Sequence, residues 1–483
     1  MKNNYKTAYL LAAFLIFQFF PLLMNSQVTF HKVYPSAVNQ SSRDILPTSD
    51  GGYIIAGVTE NMTPGDSDIY VVKTNNLGDT LWTKTYGGSQ PDYPYRMLAT
   101  ADGNYFIVGF TASRGAGSYD MWLLKMNPAG DTLWTKTYGG AGDDQAKDII
   151  ATSDGNYVIT GRSNGIGGSN YDALLMKIDP SGNIIWSKTY GGPQYEISHS
   201  VKQCSDGGYV FTGQTLSYGM GLGDVYLVRT NSIGDTLWTK TFGGTQIDEG
   251  NALVINPDGS IVICAETSSF GAGGIDVYAI KTNSTGTMMW SKTYGGTDKD
   301  ISHDIQHTSD GGYIIAAISR SFGWINPDMW LVKISDALGD TVWTKHYGSW
   351  YHDHCYAVKQ TTDGGYIAIG HQEDAGSILH IQFVKLNSAG DIGPLSVDEF
   401  ASTNIISIYP NPTNGIINID LDGNYEPGAI FSINNALGQI IYSEKIGVLN
   451  DHKVIDLKDQ QPGVYFVTIQ SAKNLSTEKL ILK

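Results

Sequence analysis

Residues 79–88 read DTLWTKTYGG. The string returns with small changes along the chain, and its tryptophan falls at Trp82, Trp134, Trp186, Trp238, Trp290 and Trp343, in steps of 52 or 53 residues. A second anchor, the turn S/T-D-G-G/N-Y, returns seven times with small changes (ADGNY and PDGSI in two copies), with its aspartate at Asp50, Asp102, Asp154, Asp206, Asp258, Asp310 and Asp363. The two counts differ by one. After Lys385 the seventh unit begins as LNSAGD and stops at Ile392-Gly393-Pro394. The missing stretch stands at the other end: residues 29–34 read TFHKVY, and Tyr34 lies 52 residues before Tyr86. An open solenoid needs capped ends; a ring needs one end to complete the other.

Each unit offers four strand-like runs, in the first unit SRDILPT, GYIIAGVT, DIYVVKTN and TLWTKTYG. Four short strands at this period are the pattern of a propeller blade. The sequence therefore predicts an all-β chain with a seven-bladed β-propeller over residues 28–394, whose last blade takes three strands from the C-terminal side and one from the N-terminus. The repeated tryptophans are expected to pack between neighbouring sheets. The lysine two residues on in each copy (Lys32, Lys84, Lys136, Lys188, Lys240, Lys292, Lys345) is expected to guard an exposed sheet edge. The repeat resembles the tryptophan-docking repeats of secreted bacterial propellers, and those of quinone-dependent dehydrogenases and outer-membrane assembly propellers. That resemblance implies a fold and no chemistry.

Composition excludes several classes. Of 483 residues, 16% are charged, against about 25% in ordinary domains, and the formal charge is −16. No basic tract marks a nucleic-acid footprint. The three cysteines cannot staple so long a chain. Residues 1–26 combine Lys2 and Lys6 with the apolar run TAYLLAAFLIFQFFPLLM and a small residue, Ser26, before Gln27. They are expected to be a cleaved signal peptide, leaving no membrane span.

From about Phe400 the repeat is gone, and a linker is expected at 395–402. Residues 403–483 alternate strand-like runs with N-P-T-N-G, L-G-Q and Q-P-G turns, as a small immunoglobulin-like β-sandwich does. Tyr409-Pro410-Asn411-Pro412, Gly415, the turn at Gly438, Gly463, Tyr465 and the tail from Lys479 to Lys483 resemble the type A C-terminal sorting domain of type IX secretion in Bacteroidetes. The resemblance implies passage through the periplasm, recognition by the type IX machinery, and a secreted or surface-attached product.

The first-to-second and third-to-fourth turns of each blade share one face and are nearly identical throughout. The other face carries loops that differ from blade to blade, and a specific partner is expected there. On it, Trp324 and Trp350 stand outside the repeat, the second followed by Tyr351, His352, Asp353 and His354. Trp324, Trp350, Tyr351, His352 and His354 are the candidate ligand-binding residues, because aromatics beside polar groups suit sugar stacking or protein contact. His199 and His303 share one register two blades apart. An acidic residue also recurs ten positions before the turn aspartate: Asp92, Asp144, Glu196, Asp248, Asp300 and Asp353. These would ring the channel mouth or, as the simpler reading, cap their own loops. No catalytic motif is present, and no cofactor or metal is expected. The expectation is a secreted or cell-surface propeller binding polysaccharide or an envelope or extracellular protein on its variable face. The alternatives are a polysaccharide hydrolase or lyase with its site at the channel mouth, and a structural surface protein.

Overall fold

A computed structural model describes residues 27–60, 67–166, 170–322, 326–393, 405–422, 430–435, 439–445, 451–470 and 475–483. The expected signal peptide at 1–26 and linker at 395–402 lie outside these residues, as do Trp324 and Gly438. Among the described residues every regular element is a strand. The chain divides into two units, 1–393 and 394–483.

The first unit consists of seven four-stranded antiparallel sheets. Blade one is Gln40–Pro47, Tyr53–Glu60, Ser67–Thr74 and Thr80–Tyr86. Blades two to six repeat it. Blade seven is Asp353–Gln360, Tyr366–Glu373 and Leu379–Leu386, completed by Phe30–Tyr34, which pairs along Leu379–Leu386. Burial follows position in the blade. The second and third strands, such as YIIAGVTE and DMWLLKM, are buried almost throughout. Neighbouring sheets cover both their faces, which favours continuous apolar runs over alternation. The fourth strand is only half covered, and TLWTKTY alternates between exposed and partly buried side chains.

Each fourth strand docks on the next blade. The rings of Trp82, Trp134, Trp186, Trp238, Trp290 and Trp343 lie over Gly130, Gly182, Gly234, Gly286, Gly339 and Gly390, in the third-to-fourth turns. A Cβ at Gly130 would stand 2.7 Å from the Trp82 ring, and Gly130 has φ +78°, so glycine is needed there for conformation and for space. Four residues beyond the tryptophan, in every case but Trp238, where Phe242 stands, a tyrosine hydroxyl donates to the same glycine's carbonyl, as from Tyr86 to Gly130 at 2.6 Å. The recurrent lysine reaches the residue after that glycine in six of the seven copies, an aspartate in five, as Lys84 does to Asp131 at 2.6 Å, and Asn183 for Lys136. In those six copies the lysine links blades rather than guarding an edge, a difference from the sequence expectation. It arises because the turn of the next blade comes within reach of the edge. Blade seven docks on blade one in the same way. Phe30 lies over Gly78, Lys32 pairs with Asp79, and Tyr34 donates to the Gly78 carbonyl at 2.7 Å. Phe30 stands where the other blades have tryptophan.

The second unit has a three-stranded sheet (Ile405–Tyr409, Ile416–Asp422, Asp451–Asp456) and a four-stranded one (Ile440–Lys445, Ile430–Asn435, Gly463–Gln470, Leu475–Leu482). Ile417, Ile419, Phe431, Ile433, Tyr465, Val467 and Leu480 fill its core. The Tyr409–Pro412 loop is tied to the final strand. Asn411 donates to the Lys479 carbonyl at 2.6 Å and accepts from the Ile481 amide at 2.9 Å. Gly415 has φ +131° and lies against Lys458. Gly463 opens its strand, buried Tyr465 donates to the Gln461 carbonyl at 2.6 Å, and Lys479 and Lys483 are exposed.

Candidate functional site

The first strand of every blade is innermost, and every one is bulged at the same place. In the first blade the pairing skips from Ser42 to Asp44. The other six skip at the corresponding residue. The seven extra residues are Arg43, Tyr95, Lys147, His199, Asn251, His303 and Tyr356. A bulge re-aims a side chain and leaves its residue outside the ladder. All seven, with Tyr93 and Arg96, line one cavity of about 440 Å³ on the propeller axis. Larger clefts of about 610 and 590 Å³ lie at the regular turns, between blades seven and one and between four and five. Their walls include turn residues that recur in other blades. The axial cavity is walled by the bulge register, which carries five residue types over the seven blades.

The floor of the cavity is a closed charge network. Arg96 stands 3.7 Å from Asp44, 3.4 Å from Asp148 and 3.8 Å from Asp304, reaching from blade two to blades one, three and six. Lys202 lies 3.6 Å from Asp148, and Lys359 lies 3.5 Å from Asp44 and 3.9 Å from Asp304. Three buried carboxylates thus face three cations. Burial works against the charge of both Arg96 and Asp148. Even so, the carboxylates hold the Arg96 guanidinium above its ordinary pKa, and Lys202 and Arg96 hold Asp148 below the usual range. Each carboxylate also accepts a backbone amide of the next blade: Met97 to Asp44 at 2.8 Å, Val201 to Asp148 at 3.1 Å and Val358 to Asp304 at 3.3 Å.

Above the floor, cations and rings alternate around one wall. The Arg43 guanidinium lies 4.0 Å over the Tyr356 ring and 4.9 Å from the Tyr93 ring, and it donates to the Tyr93 hydroxyl. Tyr93 lies 5.4 Å from Tyr95, whose ring carries the Lys147 ammonium at 3.6 Å. Burial, then the nearby Arg162, pushes the Lys147 pKa down to about 7, against Glu249 and Asp143. The opposite wall is acid–base in character. His199 Nε2 lies 2.6 Å from Glu249 Oε1, and Glu249 is register-paired with Glu266. Burial, then Glu249, pushes Glu266 up to about 7. On the remaining side, His354 stacks on His371 at 4.3 Å and bonds Tyr356 Oη at 3.0 Å. Burial lowers His303 to about 3, His354 to about 4 and His371 to about 2, so all three imidazoles are neutral at pH 7.

The residues singled out in the sequence fall in different surroundings. Trp350, 64% exposed, and Tyr351, 39% exposed, stand on the outer surface. His352 is half exposed, 3.3 Å from Glu373. His354 lies in the cluster beside the cavity, so the Trp350–His354 stretch is divided between outer surface and interior. The recurrent acids are buried: Asp92, Asp144, Glu196, Asp248, Asp300 and Asp353 are each 0% exposed. Each accepts the amide four residues before it, at 2.6–2.9 Å. They hold the inter-blade loops. The cavity itself had one trace in the sequence, the shared register of His199 and His303. Following that register through all seven units reads Arg, Tyr, Lys, His, Asn, His, Tyr.

Residues 407–483 match the family model described as the secretion system C-terminal sorting domain. The propeller is thus followed by an export address, and the chain is an exported propeller of the cell surface or exterior. A regulatory protein, FlaEY, of Caulobacter vibrioides is 22% identical over 400 residues, covering 71% of this chain. The chain spans 40% of that relative's length. Among solved structures, PorZ, a surface component of the type IX secretion system of Porphyromonas gingivalis, is similar at 14% identity and TM-score 0.41, over 92% of this chain and 59% of that one. The β-propeller domain of the Trilobed protease from Pyrococcus furiosus is similar at 10% identity and TM-score 0.41, over 76% of this chain and 100% of that one.

Proposed function

We propose that this exported propeller is a carbohydrate-binding protein whose ligand seats in the axial cavity, approached from the variable face. The observation that carries the reading is the convergence of seven bulge side chains, of five residue types, on one cavity. A site that must recognise one ligand breaks the symmetry of the ring, whereas scaffold residues repeat it. The rings of Tyr93, Tyr95 and Tyr356 supply flat surfaces, while Asn251, His199 and His303 supply hydrogen-bonding groups, as a sugar requires. A volume of about 440 Å³ falls within the range of small-ligand sites. Trp350 and Tyr351, exposed in the loop before blade seven, offer further aromatic surface to a longer chain. Export by the type IX machinery through residues 407–483 delivers the site to the cell exterior.

The test is a glycan array on the purified chain, followed by titration of the best ligand. Tyr95→Ala and Tyr356→Ala should each weaken binding at least about tenfold, the scale of a lost aromatic contact. Binding that survives both substitutions overturns the assignment. A second reading, cleavage of a polysaccharide, is favoured by the His199–Glu249 pair beside Glu266, whose pKa of about 7 suits a general acid. It predicts release of reducing ends from a bound glycan and their loss in Glu266→Gln. Binding without turnover removes that reading and leaves the first.

A further inference from the structure

The floor and the wall of the axial cavity differ in charge balance. On the floor, Asp44, Asp148 and Asp304 answer Arg96, Lys202 and Lys359. On the wall, Arg43 and Lys147 have no ion pair with a carboxylate among the described residues. Arg43 makes its contacts with Tyr93 and Tyr356, and Lys147 makes its own with Tyr95. The nearest acids are engaged elsewhere: Asp143 with Arg162 at 3.0 Å, and Glu249 with His199 at 2.6 Å. Next to Arg43, His303 Nε2 is buried without a hydrogen-bond partner. Buried charges are ordinarily paired, and a ring face replaces a carboxylate only in part. The cations are also held in place: Arg43 lies over two tyrosines, and Lys147 stands on the face of a third. A ligand anion would meet preorganised donors, and the tyrosines between them would meet its ring.

We infer that the ligand of the axial cavity is an anionic sugar, a ring bearing a carboxylate or sulfate, with the charged group held by Lys147 and Arg43 and the ring set against Tyr95 and Tyr93. This rests on the axial-cavity reading and adds the ligand's charge to it. The pocket thereby selects a negative ligand although the protein itself carries −16. Field focusing by an enclosed cationic wall outweighs the distant, screened surface charge.

The experiment is calorimetric titration of the full chain with galacturonate, glucuronate and galactose 6-sulfate, and with galactose and glucose as neutral counterparts. A charge-assisted bond to each cation predicts about 10- to 100-fold preference for the anionic sugars. Lys147→Met should remove about tenfold of that preference, and Lys147→Arg should restore it. Arg43→Gln provides an independent variant should Lys147→Met fail to fold. Affinity for the anionic sugars should fall as pH rises from 6 to 8.5, as Lys147 loses its proton among Arg43, Arg162, Asp143 and Glu249. Which anion binds separates carboxylate from sulfate. Equal affinity for neutral and anionic sugars overturns the inference, as does anionic binding unchanged in both Lys147→Met and Arg43→Gln. In either case the axial reading stands if Tyr95→Ala still abolishes binding and falls if it does not. Failure of every anionic sugar to bind at millimolar concentration also overturns the inference.

Discussion

Replacing Arg96 with methionine tests whether the propeller is held together at its axis. The guanidinium lies 3.4–3.8 Å from Asp44, Asp148 and Asp304, whose side chains are at most 3% exposed. Methionine keeps much of the stem volume and removes the charge. Three buried carboxylates would then face only Lys202 and Lys359. Breaking a buried pair from one side costs about 3–5 kcal/mol, because a charge remains without its partner. The loss should depend on pH, and its sign follows from Asp148. In the native chain Lys202 and Arg96 hold that carboxylate below its ordinary range, in spite of its burial. Loss of Arg96 lets it take up a proton more readily in the folded state. The variant therefore recovers stability relative to the wild type as pH falls from about 7 towards 4. Urea unfolding of both proteins at pH 7.5 and pH 4.5 measures this. A midpoint shift worth less than about 1 kcal/mol at pH 7.5 would mean that solvent reaches the floor and screens it. A penalty independent of pH would refute the electrostatic account, leaving only lost packing. Arg96→Met combined with Asp304→Asn should cost less than Arg96→Met alone, since one unpaired charge is gone.

Other consequences concern ring closure and loop acids. Phe30, 8% exposed and edge-on to Phe383 at 4.8 Å, is the side chain that docks blade seven on blade one. Phe30→Ala should cost about 3–5 kcal/mol and raise amide exchange first in Leu379–Leu386; a loss below about 1 kcal/mol would show that the N-terminal strand is dispensable. Asp353, buried in the loop before blade seven, is pushed up to about 7 chiefly by burial. The folded chain then keeps a proton that the unfolded chain releases near pH 4, so stability falls as pH rises from about 4 to about 7. Asp353→Asn should therefore be more stable than wild type at pH 8, by at most on the order of 4 kcal/mol, and no more stable at pH 4. A difference of equal size at both pH values would locate the effect in packing. Deletion of residues 407–483 should leave the propeller folded but retained in the periplasm, as seen by fractionation; normal export of the truncated chain would show that the address lies elsewhere.

Much of the architecture follows from local sequence alone. A blade is specified by side chains close together in the chain: the turn glycines, the apolar middle strands and the alternating outer strand. Copying the unit seven times makes those signals legible, and the split seventh unit shows which strand must complete it. The address at Tyr409–Pro412 and Gly463–Tyr465 is likewise written in short motifs. The site was not legible in that way. Trp350 and His354 attracted notice because they depart from the repeat, yet one stands on the surface and the other beside the axis. The cavity instead uses a position inside the repeat. Arg43, Tyr95, Lys147, His199, Asn251, His303 and Tyr356 lie about 52 residues apart, and each looks like an ordinary strand residue in its own blade. A bulge takes each out of the ladder, and the closed arrangement of blades brings all seven to one axis. Convergence of that kind depends on long-range geometry. The sequence determined the blade, its sevenfold copying and the export address, because these rest on local contacts. Only the tertiary structure decided that Arg43, Lys147 and three tyrosines share one wall, because that depends on how seven separate bulges meet.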